Sequence, residues 1–265
     1  MHFFVTVDAE TDVIREGIRV ISGLRDRVEE RERARIPIVW FVRFQRSFDE
    51  YVENDSPAYF EGPLRDGFDG FERAKPQLVE LLARGDEVGW HYHAYGYVHR
   101  TDLSHEARVR ILEADLDACG RELRGRHPEL PVRSFRFGWF FVPDYVLYET
   151  LRSVGIEHDA SVMPRAAGSR VESFEARYLE PLASEPAEVG GLCVFPYQKT
   201  LLVHDWSVLA HDFGWSSLTR VGAWRERHRL TGALTTTAAR LRRGGGAFLT
   251  YDTFPRGLLG RDAGA

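Results

Sequence analysis

The feature that most constrains the fold is an alternation, repeated along the chain, of short strand-like runs and segments of helical periodicity. Residues 36–44, IPIVWFVRF, are almost all apolar, as expected of a strand covered on both faces. Residues 15–35 instead place apolar side chains such as Ile18 and Ile21 at helical spacing. Strand and helix in repeated alternation predict an α/β fold built on a parallel sheet.

The same patterns predict seven strands, at 2–8, 36–44, 87–93, 133–138, 156–162, 192–197 and 244–252. They predict helices at 15–35, 72–85, 104–126, 143–155 and 218–243. Seven strands in a chain of 265 residues favour a distorted (β/α) barrel, in one domain over 1–265, rather than an open doubly wound sheet. Two stretches, 48–71 and 164–190, are predicted to be irregular segments that would shape a pocket.

Composition and charge argue against nucleic acid and membrane as partners of the protein. The formal net charge is −5, which gives no electrostatic footprint for nucleic acid. No stretch approaches the roughly 18 uninterrupted apolar residues of a membrane helix. The start, MHFFVTVDAE, lacks the cationic and apolar regions of a signal peptide, and the only cysteines, Cys119 and Cys193, are too few for a disulfide framework. These features predict a cytoplasmic enzyme with no membrane span.

Ionisable residues fall where the predicted strands end. In a parallel barrel the carboxyl ends of all strands open onto one face, where active sites are built. Residues distant in sequence are therefore expected to converge there. The candidates are Asp8, Glu10, His91, His93, Arg136, Asp159 and Asp252.

The spacing of two of these pairs points to metal binding. In a strand, residues i and i+2 point to the same side, so His91 and His93 can present two imidazoles to one point. Asp8 and Glu10 can present two carboxylates by the same rule. Two histidines and one carboxylate, with positions left for water, are typical of an open site for Zn²⁺ or another divalent ion. The alternative is that the histidines simply hydrogen-bond loop carbonyls.

Arg136, in SFRFGWFF, also allows two interpretations. It can form an ordinary salt bridge at a strand end. It can equally hold and orient a catalytic carboxylate through its bidentate fork.

At these residues the chain resembles the polysaccharide deacetylase family, also called the NodB-homology or carbohydrate esterase family 4 fold. It is most similar to the variant members that begin with a D-x-[DE] motif. TVDAETD resembles the first motif, which implies that Asp8 is the general base and Glu10 a metal ligand. EVGWHYHAY resembles the second motif, which implies that His91 and His93 bind the metal.

Two further segments extend the resemblance along the chain. SFRFGWF resembles the third motif, whose arginine, here Arg136, positions the base. GIEHDASV resembles the fourth and implies that Asp159 lies near that arginine. The family implies a distorted, often seven-stranded (β/α) barrel and metal-dependent removal of N- or O-acyl groups from sugars.

The sequence departs from the family pattern at three places. The first motif carries Glu10, whose side chain has a longer reach than that of Asp. The second metal histidine of the family lies at i+4, where this chain has Tyr95, so His93 takes its place. The fifth motif carries a histidine as general acid, whereas AFLTYDTF offers Tyr251 and Asp252. The proton for the leaving amine would then come from another group, and His204, His211 and Asp252 remain the candidates.

The sequence therefore predicts a metal-dependent hydrolase that removes an N-acetyl or related acyl group from a sugar or sugar-containing metabolite. We expect the cofactor to be Zn²⁺, with Co²⁺, Mn²⁺, Fe or Ni²⁺ as alternatives. The expected partner is a small molecule or glycan precursor, and a homo-oligomer is left open. Two alternatives remain: an amide or ring hydrolase of a non-sugar substrate, and a catalytically impaired barrel that acts as a binding protein.

Overall fold

The fold was analysed in a computed structural model of the chain. It describes residues 2–3, 5–10, 14–46, 67–98, 100–138, 146–161, 187–189, 191–194, 201–204, 217–243 and 247–248. The strands are β1 (His2–Phe3), β2 (Val5–Ala9), β3 (Val39–Gln45), β4 (Phe68–Asp69), β5 (Glu87–Tyr92), β6 (Ser134–Phe137), β7 (His158–Asp159), β8 (Ala187–Val189), β9 (Leu192–Val194), β10 (Leu201–His204) and β11 (Ala247–Phe248). The helices are α1 (Ile14–Glu32), α2 (Gly70–Ala83), α3 (Tyr95–Val98), α4 (His105–Arg126), α5 (Leu147–Ser153) and α6 (Ser217–Arg242).

The strands pair mostly in parallel, which confirms the predicted α/β class. Parallel ladders join β1 to β11, β10 to β2, β2 to β3, β5 to β6, β6 to β7 and β7 to β9. The ladders of β3 with β4 and of β8 with β9 are antiparallel. Closure of seven strands into a barrel stays a prediction, as does a single domain over 1–265.

The chain divides into two compact units. The first contains residues 1–42, 73–87 and 199–265. There β2 lies between β10 and β3, and α1 packs against α6. Along α1 the periodic apolar residues Ile14, Ile18, Ile21 and Val28 are buried, as the periodicity predicts, and Leu24 is half-buried.

A buried carboxylate, that of Asp86, holds three segments of this first unit together. Asp86 accepts hydrogen bonds from Arg25 of α1, from Trp40 Nε1 at 3.0 Å and from the backbone N–H of Ile38 at 3.2 Å. The side chains of Arg25 and Asp86 are each 1% exposed. Because a buried charge is tolerated only with a partner, the pair fixes α1 against β3 and the start of β5.

The second unit contains residues 43–72 and 88–198. Its strand order runs from the end of β3 through β5, β6, β7 and β9 to β8. Trp90 packs edge-on against Phe135, and its Nε1 donates to the backbone carbonyl of Phe44 at 2.9 Å. Helix α4 packs against α3 and α5, and it begins as predicted at Ser104, whose side chain accepts from the N–H of Ala107.

Several segments differ from the sequence-based prediction. Strand β10 lies where no strand is predicted, and β8 and β4 lie in the predicted irregular segments 164–190 and 48–71. These strands are two to four residues long, too short for periodicity to reveal. The turn between β8 and β9 contains Gly191, whose φ of +79° suits glycine.

Two predicted elements are shorter in the structure. Helix α5 and strand β7 fall within the predicted 143–155 and 156–162. Residues 143–145 and 162 lie outside the described residues. In the part of the chain that the structure describes, no helix combines the length and the apolarity needed to cross a bilayer.

Candidate metal centre

Two histidines lie side by side at the end of β5. His91 is in the strand and His93 follows it, and they are only 1% and 7% exposed. Their Nε2 atoms are 3.1 Å apart, with the ring planes at 85°. Tyr92 lies between them in sequence, and its hydroxyl donates to Asp115 of α4. The alternation of the strand thus brings the two imidazoles together, as the i, i+2 spacing predicts.

The separation of the two nitrogens suits a shared cation. Zn–N bonds of roughly 2.0–2.1 Å in a tetrahedral arrangement would place two ligand nitrogens about 3.3 Å apart. The observed 3.1 Å is close to that value. The same distance also fits a hydrogen bond between two neutral imidazoles, in which one Nε2 donates and the other accepts. His91 and His93 can therefore either bind one metal ion or hydrogen-bond to each other without a large rearrangement.

The third predicted ligand is a carboxylate. Glu10 follows β2, in the first unit, and is 9% exposed. Two imidazoles and one carboxylate are a donor set that suits Zn²⁺ and leaves a position for water or substrate. The chemistry of these residues thus fits a catalytic divalent cation.

Asp8 lies two residues before Glu10, within β2, and is 1% exposed. Its backbone is in register with Phe41 of β3 on one side and with His204 of β10 on the other. His204, one of the candidate proton donors, therefore lies on the strand next to that of Asp8. The other two candidate proton donors, His211 and Asp252, lie outside the described residues.

Arg136 lies in β6, with its backbone in register with His91 of β5. It is 1% exposed, and its Nε donates to the carbonyl oxygen of Ala160 at 3.2 Å.

Asp159, in β7, is fully buried and firmly held. Its Oδ1 accepts from the N–H of Ser161 at 3.0 Å and from the Ser161 hydroxyl. Its Oδ2 accepts from the hydroxyl of Tyr148 at 2.7 Å. Burial raises the pKa of this carboxyl, and the donors from Ser161 and Tyr148 and the charge of Arg136 only partly offset that effect.

Three residues that surround His93 are not among the site residues predicted from the sequence. Gln45 Nε2 donates to the carbonyl oxygen of His93 at 3.0 Å, and Arg43 donates to Gln45. Gly138 lies against the His93 ring. One sequence feature could have identified Arg43 and Gln45. They are polar residues spaced i, i+2 at the end of an apolar strand, as Asp8 and Glu10 are.

Comparison with known proteins gives a likeness of fold. No family model and no curated protein matches the chain. Among solved structures, the chain is similar to a "putative polysaccharide deacetylase" from Mycobacterium smegmatis, at 11% sequence identity and a TM-score of 0.48. The match covers 95% of this chain and 87% of that one. At this identity and TM-score, the likeness transfers neither an activity nor a residue role to this chain.

Proposed function

We propose that the chain is a metal-dependent hydrolase that removes an N-acetyl or related acyl group from a sugar or sugar-containing metabolite. The observation that carries the proposal is the buried pair of imidazole nitrogens, 3.1 Å apart. The sugar substrate is inferred from the resemblance of the motifs around Asp8, His91 and Arg136 to those of polysaccharide deacetylases.

Glu10, His91 and His93 would hold the cation, with Zn²⁺ preferred and Co²⁺, Mn²⁺, Fe or Ni²⁺ as alternatives. When bound, a cation of this kind lowers the pKa of a coordinated water to about 7 and polarises an acyl oxygen. The burial of the two histidines supports this role, because a site with little water strengthens electrostatic effects.

Asp8 would act as the general base and take a proton from the attacking water. A general base must lie within hydrogen-bond reach of that proton, and the i, i+2 spacing puts Asp8 and Glu10 on one side of the chain. Arg136 would orient the base. Asp159, fixed by Tyr148 and Ser161, would in turn stabilise the charge of Arg136.

The leaving amine needs a proton, and His204 is the candidate that the described residues support. Its backbone is in register with Asp8 on the neighbouring strand, so both residues occupy the same level of the sheet. A histidine titrates near neutral pH and therefore suits a general acid.

The test is release of acetate from a panel of nucleotide-linked N-acetyl sugars by the metal-loaded protein. We expect turnover by the wild type and a loss of at least about 100-fold in Asp8→Asn, with metal content unchanged. A matched variant, Asp117→Asn, alters an exposed helix residue and should retain turnover. Full activity of Asp8→Asn would contradict the assigned base. Metal binding without hydrolysis of any sugar amide would favour the alternatives, a hydrolase of non-sugar amides or a binding protein.

A further inference from the structure

His93 is held from three directions by residues that the proposed reaction does not use. The first contact is at its backbone. The carbonyl oxygen of His93 accepts from Gln45 Nε2 at 3.0 Å and from the N–H of Tyr95 at 2.9 Å. His93 lies just beyond the end of β5, where the ladder no longer fixes the chain. The two hydrogen bonds therefore replace the ladder at the residue where its orientation matters.

The second contact is at the ring. Tyr95 stacks on the His93 imidazole, with centroids 5.3 Å apart and ring planes within 19°. Arg43 holds Tyr95 in place, since its guanidinium donates to the Tyr95 hydroxyl and lies 5.5 Å from the ring centroid. Arg43 also donates through Nε and Nη2 to Gln45 Oε1, at 3.3 and 3.2 Å. Arg43 thus joins the residue that holds the His93 backbone to the residue that holds its ring.

The third contact is a close approach by the backbone. A Cβ added to Gly138, which follows β6, would lie 2.5 Å from Nε2 of His93 and 2.6 Å from each of the two flanking ring carbons. A carbon in the ring plane beyond Nε2 would lie much farther from the two flanking ring carbons than from Nε2. The three distances are nearly equal, so the added Cβ would lie over the face of the ring. Any side chain at 138 would therefore displace the imidazole.

We propose that Arg43, Gln45, Tyr95 and Gly138, here termed the His93 clamp, are positioning residues that fix the His93 imidazole for metal binding. The inference rests on the proposed function, because it assigns the clamp to the proposed metal ligand. Groups that orient a metal ligand typically change metal affinity by about 10–100-fold when they are altered. A rigid ring directs Nε2 toward the point that His91 also faces, so the cation is bound without a large cost in ordering the ligand.

The test measures Co²⁺ affinity of the metal-stripped protein by calorimetry, with the visible absorption of the bound ion as a spectroscopic readout. We expect Gly138→Ala to weaken Co²⁺ binding by about 10-fold or more and to alter the absorption band. Gly125→Ala is the matched control, because a Cβ at Gly125 meets nothing within 4 Å. Wild-type affinity and spectrum in Gly138→Ala would overturn the inference.

A second variant keeps the test decisive if Gly138→Ala fails to fold. Gln45→Glu retains the acceptor for Arg43 but replaces the donor to the His93 carbonyl with a carboxylate oxygen. We expect it to weaken Co²⁺ binding by about 10-fold, within the range typical of such orienting groups. Unchanged affinity in Gln45→Glu would also overturn the clamp. Failure of the wild type itself to bind Co²⁺ would instead refute the proposed metal site, so the two failures are distinguishable.

Discussion

The Nε2 atoms of His91 and His93 face each other across 3.1 Å in a part of the second unit where both residues are almost fully buried. The separation suits two nitrogens that bind one cation, and it equally suits a hydrogen bond between two neutral rings.

The buried pair of Arg25 and Asp86 should dominate the stability of the first unit. We expect Asp86→Ala to lower the free energy of unfolding by about 3–5 kcal/mol, because the buried charge of Arg25 would keep only Asp26 as a partner, 3.7 Å away and 49% exposed. Urea denaturation measures the change. Glu157→Ala is the control, since Glu157 is 58% exposed and its pair with Arg133 should contribute less than about 1 kcal/mol. Equal effects of the two substitutions would contradict the assigned role of Asp86.

Two glycines of α4 should respond in opposite directions to alanine. A Cβ at Gly120 would lie 2.6 Å from Cγ2 of Val154, whereas one at Gly125 meets nothing within 4 Å. We expect Gly125→Ala to stabilise the protein by about 0.5–1 kcal/mol through helix propensity. In Gly120→Ala an overpacking cost of about 1–3 kcal/mol should exceed that gain. Thermal or urea unfolding of both variants would decide, and stabilisation by Gly120→Ala would show that α4 and Val154 do not pack as described.

Asp159 should make stability depend on pH. Burial raises the pKa of its carboxyl in the folded state, so the folded form binds the proton more tightly than the unfolded chain. Its contribution to stability is full below the unfolded carboxyl pKa of about 3.9 and is lost as pH rises through the folded pKa. The side chain introduced by Asp159→Asn cannot ionise, so the variant should not lose this stability as pH rises. Urea midpoints of both proteins from about pH 4 to about pH 8 give the comparison, and parallel curves would contradict the raised pKa.

The strands with clear apolar runs could be predicted from the sequence, and the candidate site residues on them follow from the same reasoning. Residues 36–44 and 87–93 each contain a run long enough to separate strand from helix, and β3 and β5 lie there. The i, i+2 rule then sufficed to pair His91 with His93.

Other parts could not be predicted because their signal is not local. Strand β10 has four residues, LLVH, and is fixed by its ladder with β2 rather than by its own pattern. Gly138 matters because of a ring that belongs to another strand, and a single glycine after an apolar run carries no mark of that approach. Arg43 and Gln45 are buried polar residues whose partners become visible only in three dimensions.

The most direct test of the central claim is the metal stoichiometry of the stripped protein after equilibrium dialysis against Zn²⁺ or Co²⁺. The proposed site predicts about one equivalent per chain in the wild type, a loss of that equivalent in the His91→Ala/His93→Ala double variant, and retention in His228→Ala, which alters an exposed histidine of α6. Wild-type protein that binds no divalent ion, or a double variant that binds as much as the wild type, would contradict it.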